Sequence, residues 1–271
     1  MNDADGLRFV REDAGKKLGA VGEVILVGSG KGGVGKSFVA SCLALSLARS
    51  GNKTGILDLD IHGASLPSYL GVTPPLESTE KGLKPKTREG LEVMSLALLT
   101  GDNPVPLRGS DKQNLVNQVF ALTDWGRLDF LVVDLPPTTG DEALSAFELF
   151  APKSSLILVT TPSPFAVSIV SRLRQLARSE RIPVRGVVVN MAWARQGRSK
   201  SYPFGRTDRR LVEKALDSKI LTEVPLDAAV SSRGPVEAID RRNELSSAFK
   251  RLASLVTASP RKTLLAKQRR R

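Results

Sequence analysis

Gly30-Lys31-Gly32-Gly33-Val34-Gly35-Lys36-Ser37 is the stretch on which the fold turns. It fits the spacing G-x-x-x-x-G-K-[ST]. The apolar run Val24-Ile25-Leu26-Val27 leads into it, and a helical pattern of Phe38, Leu43, Leu45 and Leu47 leads out. Strand, glycine loop and helix in that order make a phosphate cradle. Glycines let backbone N–H groups curl around an anion without Cβ clashes, and the helix presents its positive end. On this reading Gly30, Gly32, Gly33, Val34, Gly35, Lys36, Ser37 and Phe38 surround the phosphates of a nucleotide. Lys36 reaches the β- and γ-phosphates, and Ser37 gives its hydroxyl to Mg²⁺. A glycine-rich turn without a ligand is the plain alternative.

Working outward, short β-branched runs alternate with helical patterns. That alternation predicts an α/β fold: a doubly wound, mostly parallel sheet with helices on both faces. Strands are expected near 24–28, 54–58, 91–95, 129–134, 155–160, 185–190 and 220–224. Helices are expected at 36–49, 111–123, 141–150, 166–180, 207–217 and 237–257. Pro74 to Gly90 reads as a polar, mobile excursion. One domain over 23–258 is expected, with a polar extension at 1–22 and a basic tail at 259–271.

Two apolar strands end in acids, where doubly wound sheets bind ligands. They are Ile56-Leu57-Asp58-Leu59-Asp60 and Phe130-Leu131-Val132-Val133-Asp134. Beside a phosphate loop, Asp134 takes the metal-side position. Asp60 is placed to orient or deprotonate the attacking water. Asp58 either touches the waters of Mg²⁺ or anchors the loop. Each Asp alone could equally be a cap or turn residue; the order of all three motifs is what gives them meaning. His62, the sole histidine, is expected to be structural, since Asp60 already fills the base role.

The 271 residues carry a net charge of +12, with 41% hydrophobic and 5% aromatic residues. The core should therefore be aliphatic. No apolar stretch reaches membrane-spanning length, and the polar N-terminus is unlike a secretory signal, so a cytoplasmic location is expected. The single cysteine, Cys42, excludes an intrachain disulfide and any multi-cysteine metal site within one subunit. Eleven Arg or Lys against two acids between Arg172 and Arg210, together with the Arg-rich tail, make nucleic acid, an acidic protein or an anionic membrane face candidate partners, with a solvated basic surface that has no dedicated partner as the equal alternative.

The loop with Lys31 resembles the deviant Walker A motif of the MinD/ParA/nitrogenase-iron-protein superclass. Within it the chain is most similar to Mrp/ApbC-type iron–sulfur carrier ATPases. GSGKGGVGKS (28–37), LDLDIHGAS (57–65), DWGRLDFLVVDLPPTTGDEAL (124–144), GVVVNMAW (186–193) and VPLDAAV (224–230) carry the likeness. The resemblance implies an ATP-dependent homodimer in which Lys31 reaches the partner's nucleotide, so Lys31, Lys36 and Asp60 are the catalytic set. It implies ATP and Mg²⁺ as cofactors, with Ser37, Asp58 and Asp134 on the metal side. It further implies that Asn190 hydrogen-bonds adenine, with the turn at Pro225 and Leu226 against the base. The family's Cys-x-x-Cys after Asn190-Met191 is replaced by Trp193-Ala194-Arg195-Gln196-Gly197-Arg198-Ser199-Lys200. Thiolates hold iron–sulfur clusters, so no cluster of the family type is expected, and the cargo lies elsewhere or on a partner protein. Phe38 stands where a second hydroxyl is usual, and Thr138 where the second switch has glycine. The expected function is a Mg²⁺-dependent, slow ATPase switch. The alternative is a ParA/MinD-like positioning ATPase whose ATP dimer binds DNA or a membrane surface.

Overall fold

The computed structural model describes residues 3–60, 65–100, 109–137, 140–240, 243–258 and 264. The chain opens with α1 (Asp3–Gly19), β1 (Val21–Gly28), α2 (Lys36–Arg49), β2 (Thr54–Asp58) and α3 (Leu66–Leu70). Three short strands follow, β3 (Glu77–Thr79), β4 (Gly82–Lys84) and β5 (Lys86–Arg88), then β6 (Leu91–Ser95), α4 (Leu96–Thr100) and α5 (Gly109–Leu122). Next come β7 (Leu128–Asp134), α6 (Asp141–Phe150), β8 (Ser154–Thr160), α7 (Pro164–Ser179) and β9 (Val184–Val189). A hairpin of β10 (Ala194–Gln196) and β11 (Ser199–Ser201) precedes α8 (Arg209–Ala215), β12 (Ile220–Glu223), α9 (Ala228–Asp240) and α10 (Glu244–Ala258).

Near-continuous aliphatic runs such as ILVG in β1 and LILV in β8 suit strands covered on both faces. They join a sheet of eight strands in the order β12-β9-β8-β1-β7-β2-β6-β5. Neighbours are parallel except β5, which runs antiparallel to β6. Alternation along β1 divides the core. Val24 and Leu26 join one cluster with Phe120 of α5, Phe147 of α6 and Leu173 of α7. Ile25 and Val27 join the other with Leu43 of α2 and Phe249 and Leu252 of α10. The expected doubly wound, mostly parallel sheet with helices on both faces is what forms. The chain leaves β1 towards β2 on one side, whereas β7 leads to β8 on the other. The crevice for a ligand therefore opens at the tip of β1.

Three departures from the sequence reading have physical causes. The polar N-terminal stretch contains a helix whose Val10, Ala14 and Leu18, four residues apart, make one narrow apolar stripe. Ala14 and Leu18 are buried in the core cluster that contains Phe120. The excursion at 74–90 holds a small hairpin, β3 with β4, and the edge strand β5. The single helix expected at 237–257 is two. Asn243 starts the second by accepting the Ser246 N–H on Oδ1 at 2.8 Å, an N-cap that ends the preceding element's claim on those residues.

Candidate functional site

The loop between β1 and α2 is shaped by its glycines. Gly30, Gly33 and Gly35 have φ of 66°, 79° and 77°, the left-handed region where a side chain is strained. Gly35 immediately precedes α2 and caps it with no side-chain hydrogen bond, so the first-turn N–H groups face the loop's concavity. Ser29 Oγ donates to the Lys31 carbonyl at 2.7 Å, tightening the curl. Asn190, just beyond β9, donates from Nδ2 to the Val34 carbonyl at 2.8 Å. A Cβ on Gly35 would collide with that amide, which is a second reason for glycine there.

Beside the loop, strand register sets the acids. Asp58 at the end of β2 lies opposite Asp134 at the end of β7, and opposite Ser95 at the end of β6. All three are buried. Lys36 Nζ, only 6% exposed, pairs with Asp134 Oδ1 at 2.6 Å and donates to Ser37 Oγ at 3.3 Å. Asp58 accepts from the Asp60 backbone N–H on Oδ1 and from Ser95 Oγ on Oδ2, each at 3.0 Å. The site brings Lys36, Ser37, Asp58, Asp60 and Asp134 together from the start of α2 and the ends of β2 and β7.

One ammonium facing two dry carboxylates leaves an excess of negative charge. Burial, then the neighbouring Asp134, raises the Asp58 carboxyl to about 7. Burial raises Asp134 as well, against the pull of Lys36. Asp134 Oδ2 is buried without a hydrogen-bond partner. A hard divalent cation fits this donor set of carboxylate and hydroxyl oxygens. Ser37 and Asp134 are placed where they could hold such a cation, with Asp58 beside them.

The remaining expected residues divide. Lys31 is exposed on the open side of the loop, with Gly32 and Gly33. Phe38 turns its ring into the core, edge-on to Phe249 at 5.7 Å between centroids, so only its backbone faces the loop. Pro225 is buried and Leu226 exposed. The Leu226 N–H bonds the Trp193 carbonyl at 2.7 Å, which pins this turn beside the segment after Asn190. His62, Thr138 and all of the basic tail but Leu264 lie outside the described residues. Asn190's clamp on the loop and Ser95's bond to Asp58 were not visible in the sequence, because each depends on which strands lie side by side.

Where the family pattern has its cysteine pair, β10 and β11 form a basic hairpin. Lys200 Nζ sits 3.6 Å from the Trp193 ring centroid, and both Arg195 (2.8 Å) and Lys200 (3.8 Å) pair with Glu244. Cys42 is buried in α2, where desolvation holds its thiol well above the ordinary value. Of the basic residues between 172 and 210, Arg185 is structural, buried against Glu23 at 2.5 Å. Arg174 and Arg209 pair with Asp217 and Glu223. Arg198, Arg206 and Arg210 are exposed. Among the described residues no helix is long and apolar enough to cross a membrane.

With this geometry in view, comparison with known proteins is specific. The family model for the NUBPL iron-transfer P-loop NTPase, of ParA type, matches residues 20–257. An iron–sulfur cluster carrier protein of Saccharolobus solfataricus is 38% identical over 209 residues, covering 75% of this chain and 71% of that protein. A nucleotide-binding protein of Archaeoglobus fulgidus, solved with ADP, superposes with a TM-score of 0.72 at 30% identity, covering 88% of this chain and 96% of that one. The cell-division ATPase MinD of Pyrococcus furiosus shares the fold, with a TM-score of 0.67 at 22% identity, over 88% of this chain and 99% of its own. The likeness to Mrp/ApbC-type iron–sulfur carriers is thereby borne out, and the chain belongs to the family of NUBPL iron-transfer P-loop NTPases.

Proposed function

We propose that this protein is a Mg²⁺-dependent ATPase that works as a switch between an open homodimer and one closed on ATP. The observation that carries the reading is the buried Lys36–Asp134 pair inside a glycine cradle, with Asp58 alongside. A triphosphate entering the loop offers Lys36 a stronger anionic partner. Once the ammonium turns to the phosphates, Asp134 and Asp58 are left without their cation. When bound beside these carboxylates, Mg²⁺ would supply the missing positive charge to them and to the phosphates. Ser37 and Asp134 would hold it, with Asp58 next to them. Asp60, whose backbone is tied to Asp58, orients the attacking water. Lys31, exposed at the mouth of the loop, reaches the nucleotide of the second subunit, so that hydrolysis and dimerisation are coupled. Catalysis in this scheme is positioning and charge stabilisation, slow without a partner.

Relatives named iron–sulfur cluster carriers suggest the cargo class. The chain's single cysteine is buried in α2, and the segment where the family pattern has its cysteine pair is a basic hairpin. We therefore propose that any cluster is held by a partner protein rather than by thiolates of this chain. Chromatography with light scattering tests the switch: a longer-lived dimer with a non-hydrolysable ATP analogue than with ADP, weakened in Lys31→Ala. An identical elution in all four samples refutes it. Iron and sulfide assays on anaerobically purified protein should find no stoichiometric cluster.

A second reading, a positioning ATPase on duplex DNA, is favoured by the exposed Arg198, Arg206 and Arg210. It predicts salt-sensitive, ATP-dependent retention on duplex DNA that falls in the triple alanine variant. Unchanged mobility counts against it.

A further inference from the structure

We infer that Ser95 is a positioning residue that fixes the Asp58 carboxylate for the divalent cation. The inference rests on the nucleotide reading above but concerns a side chain outside the expected site. Ser95 is the last residue of β6, fully buried, and in cross-strand register with Asp58, which is in register with Asp134. A hydroxyl has one proton to give. Here it goes to Asp58 Oδ2 at 3.0 Å, while the Ser95 oxygen accepts the Ala97 N–H at 3.2 Å. The Ala97 bond orients the hydroxyl, and the hydroxyl orients the carboxylate.

Asp58 is thereby held from two directions. Its Oδ1 takes the Asp60 N–H and its Oδ2 the Ser95 hydroxyl, so rotation of the carboxylate plane would break one bond or the other. Asp134 flanks it from the β7 side. Ser95 contributes no charge and does not stand among Lys36, Ser37 and Asp134. Its role is to keep a buried acid in one orientation when Lys36 departs and the cation arrives. Groups that bond a metal-side carboxylate from behind set its orientation and basicity, and their loss typically weakens metal affinity about 10–100-fold.

The test is binding, read without turnover. Calorimetry with a non-hydrolysable ATP analogue, in magnesium and in EDTA, gives the gain in affinity that magnesium confers. In Ser95→Ala that gain should fall about tenfold or more, with affinity in EDTA unchanged. Ser95→Thr, which keeps the hydroxyl, should retain it. Ser95→Cys keeps the size but donates weakly, and should lose most of it. The Thr–Cys pair decides the matter should the alanine variant fail to fold by circular dichroism. A full magnesium gain in Ser95→Ala or Ser95→Cys overturns the inference while leaving the nucleotide site standing. Wild-type protein that binds no nucleotide overturns the earlier reading instead.

Discussion

Asp58→Asn should make the nucleotide-free protein less sensitive to pH and more stable in mild alkali. The Asp58 carboxyl titrates near 7 when folded against 3.8 when unfolded, chiefly because it is buried and secondly because Asp134 faces it. Over that interval the folded protein holds a proton that the unfolded chain has released. The stability from this proton is therefore fully present below about pH 4 and is lost as pH rises towards 7, by about 1.4 kcal/mol per unit. Between about pH 5.5 and 8 the loss is about 2 kcal/mol. Asparagine has no proton to lose there, although its NH₂ must replace one carboxylate oxygen, at a cost of about 1 kcal/mol in imperfect hydrogen bonding. Glu92, half-buried and also raised to about 7, adds a slope of the same sign in both proteins, so the difference between them isolates Asp58. Urea unfolding at the two pH values reads the effect directly. Parallel pH dependence in wild type and Asp58→Asn would refute the claim that two dry carboxylates share one ammonium. Saturating magnesium and ATP analogue should remove Asp58's share of the wild-type slope and leave only that of Glu92, because the added cation replaces the proton on Asp58.

Other perturbations separate the loop from the scaffold. Gly35→Ala forces a Cβ against the Asn190 amide at a left-handed φ; nucleotide affinity should fall at least about tenfold, with a lower melting temperature, by calorimetry and thermal unfolding. Asn190→Ala leaves the Val34 carbonyl without its donor and should cost about 1–3 kcal/mol of stability, with a faster nucleotide off-rate in stopped flow. Arg185→Ala strands Glu23 in the interior and should destabilise by about 3–5 kcal/mol in urea, while nucleotide affinity of the folded protein stays at the wild-type value.

Much of this architecture was legible because parallel strands announce themselves. The runs ending in Asp58 and Asp134 are apolar throughout, and the strand bounds at 54–58 and 91–95 coincide with those observed. The glycine loop was legible for a similar reason, since its spacing encodes its backbone. What escaped is what depends on strand order. Nothing local in Ser95 reveals that it faces Asp58, and Lys36 meets an acid ninety-eight residues away. The first helix escaped because one apolar residue in four, ending in Ala14 and Leu18, is a weak signal within a charged sequence. The break before α10 rests on one asparagine side chain. Pairing also changed the reading of the basic region: Arg174, Arg185, Arg195 and Arg209 have acidic partners brought from elsewhere in the chain.

The Arg185 network sits at the end of the sheet remote from the glycine loop. Its guanidinium bonds Glu23 near the start of β1, Ser155 Oγ near the start of β8 at 2.7 Å, and the Val256 carbonyl near the end of α10 at 3.1 Å. The bases of β1, β8 and β9 and the end of α10 are thus bolted together, while the glycine loop follows the opposite tip of β1 and the hairpin follows the opposite tip of β9. Fastened in this way, the molecule resembles a hand with a splinted wrist: any regrouping around a guest is expected at the fingertips and not at the wrist.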